Sequence, residues 1–116
     1  MNKEFLPYNE SLELKELGFD EPCFGYYSEG ELILNSHTNN HMQRFRYSAP
    51  TFSQAFRWFR EKYGLFYDNL NYIGNVWKFS TYSAKEEDYF QSAEYKTYEE
   101  AELACLNKLI EIAKQK

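Results

Sequence analysis

The 116-residue sequence is poor in the residues that staple or punctuate a chain, with two cysteines, three prolines and five glycines. Cys23 and Cys105 do not make a disulfide framework and nothing marks an oxidising compartment, so both are read as free thiols. No Gly-rich phosphate loop can be assembled from the glycines present. The longest aliphatic run is Leu32, Ile33, Leu34. That is far short of the roughly 20 residues that span a bilayer, so no membrane partner is expected. The opening residues, MNKEFLPYNESLELK, carry no apolar stretch behind a basic start, so no secretory leader is expected and a cytoplasmic location follows. Basic charge is also scarce, at 13 Lys and Arg against 18 Asp and Glu for a net charge of -5. Such a balance disfavours a surface built throughout for phosphate backbones, yet it is not acidic enough to mimic DNA.

Aromatic side chains are what the sequence has in quantity: 11 Tyr and 10 Phe, within a 43% hydrophobic composition. A chain of this length is read as one globular domain spanning residues 1–116. Burying roughly two thirds of its unfolded surface, it has ample material for a core, and disorder is excluded for the bulk of it.

Pro7 in a first turn and Gly18 just past a last one predict a helix over about residues 8–17. Residues 24–27 and 31–35 read as short strands joined through Ser28, Glu29 and Gly30, and the polar stretch NSHTNNH after them reads as a loop. Residues 43–48 alternate, with Phe45 and Tyr47 on one face and Arg44 and Arg46 on the other, which is the period of a half-buried strand. Thr51 with Gln54 predicts a capping box opening a second helix that Gly64 closes. At 100° per residue Phe52, Ala55, Phe56, Phe59 and Tyr63 form its core stripe, and Trp58 falls about 120° from the centre of that stripe. Strands are expected over 66–73 and 76–82, joined at Gly74 and Asn75, and a further one over 89–95 after a charged loop at 84–88. Thr97 with Glu100 caps a last helix whose stripe holds Tyr98, Ala101, Cys105, Leu109 and Ile112, while Leu103 and Ile110 widen its apolar arc. A wide arc means either deep burial or a dimer contact, so the oligomeric state stays open.

Strands grouped before helices predict an α+β fold with a mostly antiparallel sheet and about three helices. TFSQAFRWFREKY and TYEEAELACLNKL echo one another at an offset of 46 residues, which admits an internal strand-strand-strand-helix repeat. Any short capped helix packed on a sheet would choose the same residues, and that is the simpler account.

No catalytic constellation is visible. His37 and His41 are four apart but sit in the expected loop, where helical ligand spacing means nothing, and no carboxylate or cysteine lies near in sequence, so no metal site is expected. Cys23 with a histidine would be the only nucleophile and base pair, and structural thiols are the better reading. No cofactor and no enzymatic activity are expected. One asymmetry stands out: between Asn40 and Gly64, Arg44, Arg46, Arg57, Arg60 and Lys62 face a single acid, Glu61, making the segment +4 and the remainder -9. Basic residues interleaved with aromatics suit a single nucleic-acid strand. Trp58 beside Arg57 and Arg60, with Arg44 and Arg46 near in sequence, equally suits a protein-binding hot spot. A third reading packs Trp58 against a neighbouring element.

Three segments, LELKELGFDEPCFGYY (Leu12 to Tyr27), APTFSQAFRWFREKYGL (Ala49 to Leu65) and TYEEAELACLNKLIEI (Thr97 to Ile112), resemble a family of small proteins encoded by phages and prophages of gut Bacteroidetes and their relatives. They cover close to half the chain, in the same order. The family has no assigned activity, so the resemblance carries over no functional residue. What it implies is a setting, a small accessory protein inside a bacterial host, where adaptors and inhibitors of host proteins are common. The expectation is therefore a noncatalytic accessory protein binding a macromolecule, a protein first, with a nucleic-acid-binding module using residues 40–64 as the alternative.

Overall fold

The computed structural model describes residues 4–38, 46–72 and 76–115. Arg44, His41 and the expected turn at Gly74 and Asn75 lie outside the described residues. Three helices and six strands follow one another as α1 (Tyr8–Glu16), β1 (Cys23–Ser28), β2 (Glu31–Thr38), β3 (Arg46–Ala49), α2 (Phe52–Tyr63), β4 (Leu65–Tyr72), β5 (Val76–Ser83), β6 (Asp88–Gln91) and α3 (Tyr98–Lys114). The strands form two three-stranded antiparallel sheets, and the fold class is α+β. By its contacts the chain divides into two compact units, Met1–Ala55 and Phe56–Lys116, with α2 running across the division.

In the first unit α1 ends as its sequence dictates. Gly18 adopts φ +101°, its N–H bonds to the Lys15 carbonyl at 3.0 Å and the Phe19 N–H reaches back to Leu14 at 2.9 Å. This left-handed stop turns Phe19 and Leu14, both buried, onto the same side. β1 is the central strand, paired with β2 through a two-residue turn at Glu29 and Gly30 and with β3 on its other edge. Gly25 in its middle has no side chain because the Leu34 and Leu32 methyls and the Phe5 ring lie 3.1 to 3.3 Å from where a Cβ would stand. Phe5 bridges Thr51, the Leu6 N–H donates to the Pro50 carbonyl at 2.9 Å and the buried Tyr27 hydroxyl donates to the Leu6 carbonyl at 2.8 Å. Two expectations change here. β2 runs on to Thr38, so Asn35 to Thr38, with His37, are strand rather than loop. Thr51 accepts from the Gln54 N–H at 3.2 Å, but the Gln54 amide, instead of completing a capping box, donates to the Pro22 carbonyl at 3.0 Å and to the Glu21 carboxylate at 3.4 Å.

In the second unit β5 is central, and β4, β5 and β6 form a meander. The order of elements thus repeats while the order of pairing does not, since the first strand is central in one sheet and the second in the other. β6 stops at Gln91 rather than running to Tyr95. Ser92 takes over the ladder with its side chain, accepting the Phe79 N–H at 3.0 Å, and pairing resumes as a bridge between Trp77 and Tyr95. α3 opens on the expected capping box, with Thr97 Oγ1 accepting from the Glu100 N–H at 3.1 Å and Glu100 accepting from the Thr97 N–H at 3.3 Å. Its buried residues are Ala101, Cys105, Leu106, Leu109, Ile110 and Ala113, an arc of about half the helix circumference. Tyr98 and Ile112 lie within that arc and are half-buried, in the first and last turns of the helix. Ile110 is buried within the chain itself, so at that position the wide arc reflects burial.

Candidate functional site

The structure separates the residues that sequence placed together around Trp58. Arg57 and Arg60 are exposed on α2, but Trp58 is only 6% exposed. Its indole meets Phe59 edge-on at 5.1 Å and Tyr63 at 5.6 Å, and Lys62 lies 5.9 Å over its ring. Its burial supports the reading that packs Trp58 and corrects the one that offers the indole on the helix surface: α2 is buried over about 160° of its circumference, wide enough to take in Trp58 along with Ala55 and Phe59. Phe52, Phe56 and Phe59 are buried too, and Phe56 stacks on Tyr67 at 3.9 Å. None of these aromatics is open to stack a base. The Arg46 backbone belongs to β3, paired with Ser28, and Arg44 lies outside the described residues.

Both thiols are protected. Cys23 and Cys105 are free and buried, and burial pushes each thiol up to about 12. A thiol so far above neutrality supplies no thiolate nucleophile. Cys23 donates to the Glu21 carbonyl at 3.4 Å. Among the described residues no three His, Cys, Asp or Glu side chains come together as metal ligands, and no helix is long and apolar enough to cross a membrane.

A different surface emerges from the register of the second sheet. Directly paired residues of antiparallel strands point to one face. The pairings Leu65 with Ser83, and Tyr67 with Thr81 and Phe90, define the face that carries the buried Leu65, Thr81 and Ser83, and Phe79 two residues before Thr81 shares it. α3 covers this face: Trp77 meets Tyr98 edge-on at 5.1 Å and Lys108 sits 4.2 Å over Phe90. The opposite face carries the next row, Phe66 paired with Tyr82 and Tyr82 with Tyr89. These three aromatics, one from each strand, are 40%, 41% and 61% exposed. Asp68 lies on the same face one row along, Glu86 and Glu87 stand in the turn between β5 and β6, and Asp88, paired with Ser83, belongs to the α3 side. Lys78 and Lys85 are the cations of the same strand and turn.

Sequence reasoning missed this row because the chain has adjacent aromatics at both places, Phe66 with Tyr67 and Tyr89 with Phe90. A period of two assigns neighbours to opposite faces but does not say which face is inside. Only register aligns Phe66, Tyr82 and Tyr89 across three strands.

The chain matches no protein-family model, no curated protein and no solved structure.

Proposed function

We propose that this is a noncatalytic accessory protein that binds another protein through the open face of its C-terminal sheet, centred on Phe66, Tyr82 and Tyr89. The observation that carries the reading is the cross-strand row itself, three aromatics side by side and each more than a third exposed. Together they offer on the order of 300 Å² of side-chain surface, the size of patch that marks a functional surface on a soluble protein. A full interface buries about 800 Å² per partner, so the row would be its hot-spot centre rather than its whole extent. Asp68 lies on the same face and Glu87 in the adjoining turn, which favours a partner segment with apolar side chains flanked by Lys or Arg.

The burial of the α2 aromatics weighs against a nucleic-acid-binding module using residues 40–64, which would need exposed rings beside its arginines. The resemblance to phage and prophage proteins supports a setting in the cytoplasm of a bacterial host.

The test is affinity capture from bacterial lysate with the tagged protein and with its Tyr82→Thr/Tyr89→Thr variant. Threonine keeps strand propensity and removes both rings, and the variant should keep its circular dichroism and most of its stability, since each cross-strand pair contributes about 0.2 to 1 kcal/mol. A stoichiometric protein retained after nuclease and lost from the variant is the expected result. Equal capture by the variant would move the surface elsewhere, and capture abolished by nuclease would favour nucleic acid.

A further inference from the structure

A cleft of about 350 Å³ opens between the covered face of the C-terminal sheet and the last turns of α3. We infer that it is a binding site for a small organic cation, an alkylammonium group held by Glu86, Asp88 and the hydroxyl of Thr81. The inference goes beyond the protein-docking reading and does not depend on it: the cleft belongs to the α3 side of the sheet, and only Tyr89, at its lip, is common to both.

The floor of the cleft provides the first argument. Thr81 is 2% exposed, lines the cleft, and its hydroxyl makes no hydrogen bond to the protein among the described residues. A buried hydroxyl without a partner carries a desolvation penalty that a ligand donor or acceptor placed in the cleft would relieve. Ser83, 3% exposed, stands beside it and donates to Glu86 Oε1 at 3.4 Å.

Charge provides the second argument and selects the ligand. Asp88 accepts the Tyr89 N–H through Oδ1 at 3.0 Å, which leaves Oδ2 as an acceptor. Among the described residues Lys108 is the one cation lining the cleft, and its charge is already engaged: Nζ lies 4.2 Å over the Phe90 ring and 3.5 Å from Glu111 Oε1. Gln115, at the C-terminal cap of α3, brings the negative end of a 17-residue helix to the same place. Two carboxylates, a helix C-terminus and the Thr81 hydroxyl make a cation site. A pair of carboxylates on a protein edge is too few for a firm metal cage of six to eight oxygens. Ile112 and Phe90 supply apolar wall on which the methylenes of an alkylammonium chain can lie.

Such an ammonium group comes either from a free amine or from a lysine side chain of another protein. Cadaverine and an α-N-acetylated lysine methylamide are titrated separately into the ¹⁵N-labelled protein at constant ionic strength, with pentanol as the uncharged control. Saturable shifts of the Thr81, Ser83, Asp88 and Gln115 amides at millimolar amine are expected, with no such shifts from pentanol. The Glu86→Gln/Asp88→Asn variant should bind about tenfold more weakly or worse, and Thr81→Val several-fold more weakly, with the dispersion of the amide spectrum showing that each stays folded. Tighter binding of cadaverine supports a free-amine site, and tighter binding of the lysine derivative supports a side-chain site. Absence of saturable shifts, equal shifts from pentanol, or unchanged affinity in the double carboxylate variant would overturn the inference. Loss of protein capture in the Tyr82→Thr/Tyr89→Thr variant has no bearing on these titrations, so the two readings fail separately.

Discussion

Trp58 shows how a single side chain's role turns on a few tens of degrees around a helix. It sits in a cluster with Phe59 and Tyr63 and is nearly closed to solvent. Trp58→Ala should therefore cost about 3 to 5 kcal/mol in urea unfolding, the range for emptying a buried aromatic site. Arg57→Ala, one residue away and exposed, should change stability by no more than about 0.5 kcal/mol. The two thiols lead to a pH prediction at the same scale. Burial raises each from 9.0 to about 12, so the folded state favours the neutral thiol and the unfolded state loses its proton first. Stability is then fully present below about 9 and falls as pH rises towards about 12, in the same direction as the raised Tyr27 and Tyr67 hydroxyls. Melting temperatures measured on either side of that window should drop in the wild type and drop less steeply in Cys105→Ala. An equal slope in both would remove Cys105 from the account.

Element boundaries were legible where a backbone conformation demands one residue type. Gly18 and Gly64 stop α1 and α2, and both have the positive φ that favours glycine at a helix end. The capping box of α3 was readable because its two hydrogen bonds join residues three apart. Thr97→Ala should destabilise by about 1 kcal/mol, while Thr97→Ser, which keeps the acceptor, should change stability far less; paired denaturation curves measure both. The half box at Thr51 was misread because Gln54 had better partners at Pro22 and Glu21, more than thirty residues away in sequence. β6 ended early for a similar reason, since Ser92 put a side-chain oxygen where an ideal strand has a carbonyl. At Thr51 the local pattern named the hydrogen-bonding groups, and a tertiary neighbour decided what Gln54 bonded to; at β6 the pattern did not single out Ser92.

For the molecule as a whole, the two compact units each hold one buried cysteine, Cys23 in the first and Cys105 in the second. Thiol labelling read by mass spectrometry at increasing urea should leave both unmodified under native conditions near pH 8. Each should then report the opening of its own unit; rapid native labelling of either would contradict its burial. The α+β class, the sequence of three helices and two groups of three strands, and most of the buried stripe of α2 follow from the sequence alone, because capping and periodicity are local physics acting over three to seven residues. Strand partners are not local. That β1 is central in one sheet and β5 in the other, that Phe66, Tyr82 and Tyr89 fall in one exposed row, and that Thr81 faces a cleft beside Asp88 all depend on register between strands. A shift of one residue in that register would reverse every face. The tertiary structure moved the candidate site from Trp58 to the open face of the C-terminal sheet for the same reason: aromatic side chains abound in this sequence, and which of them remain outside is decided by what packs over them.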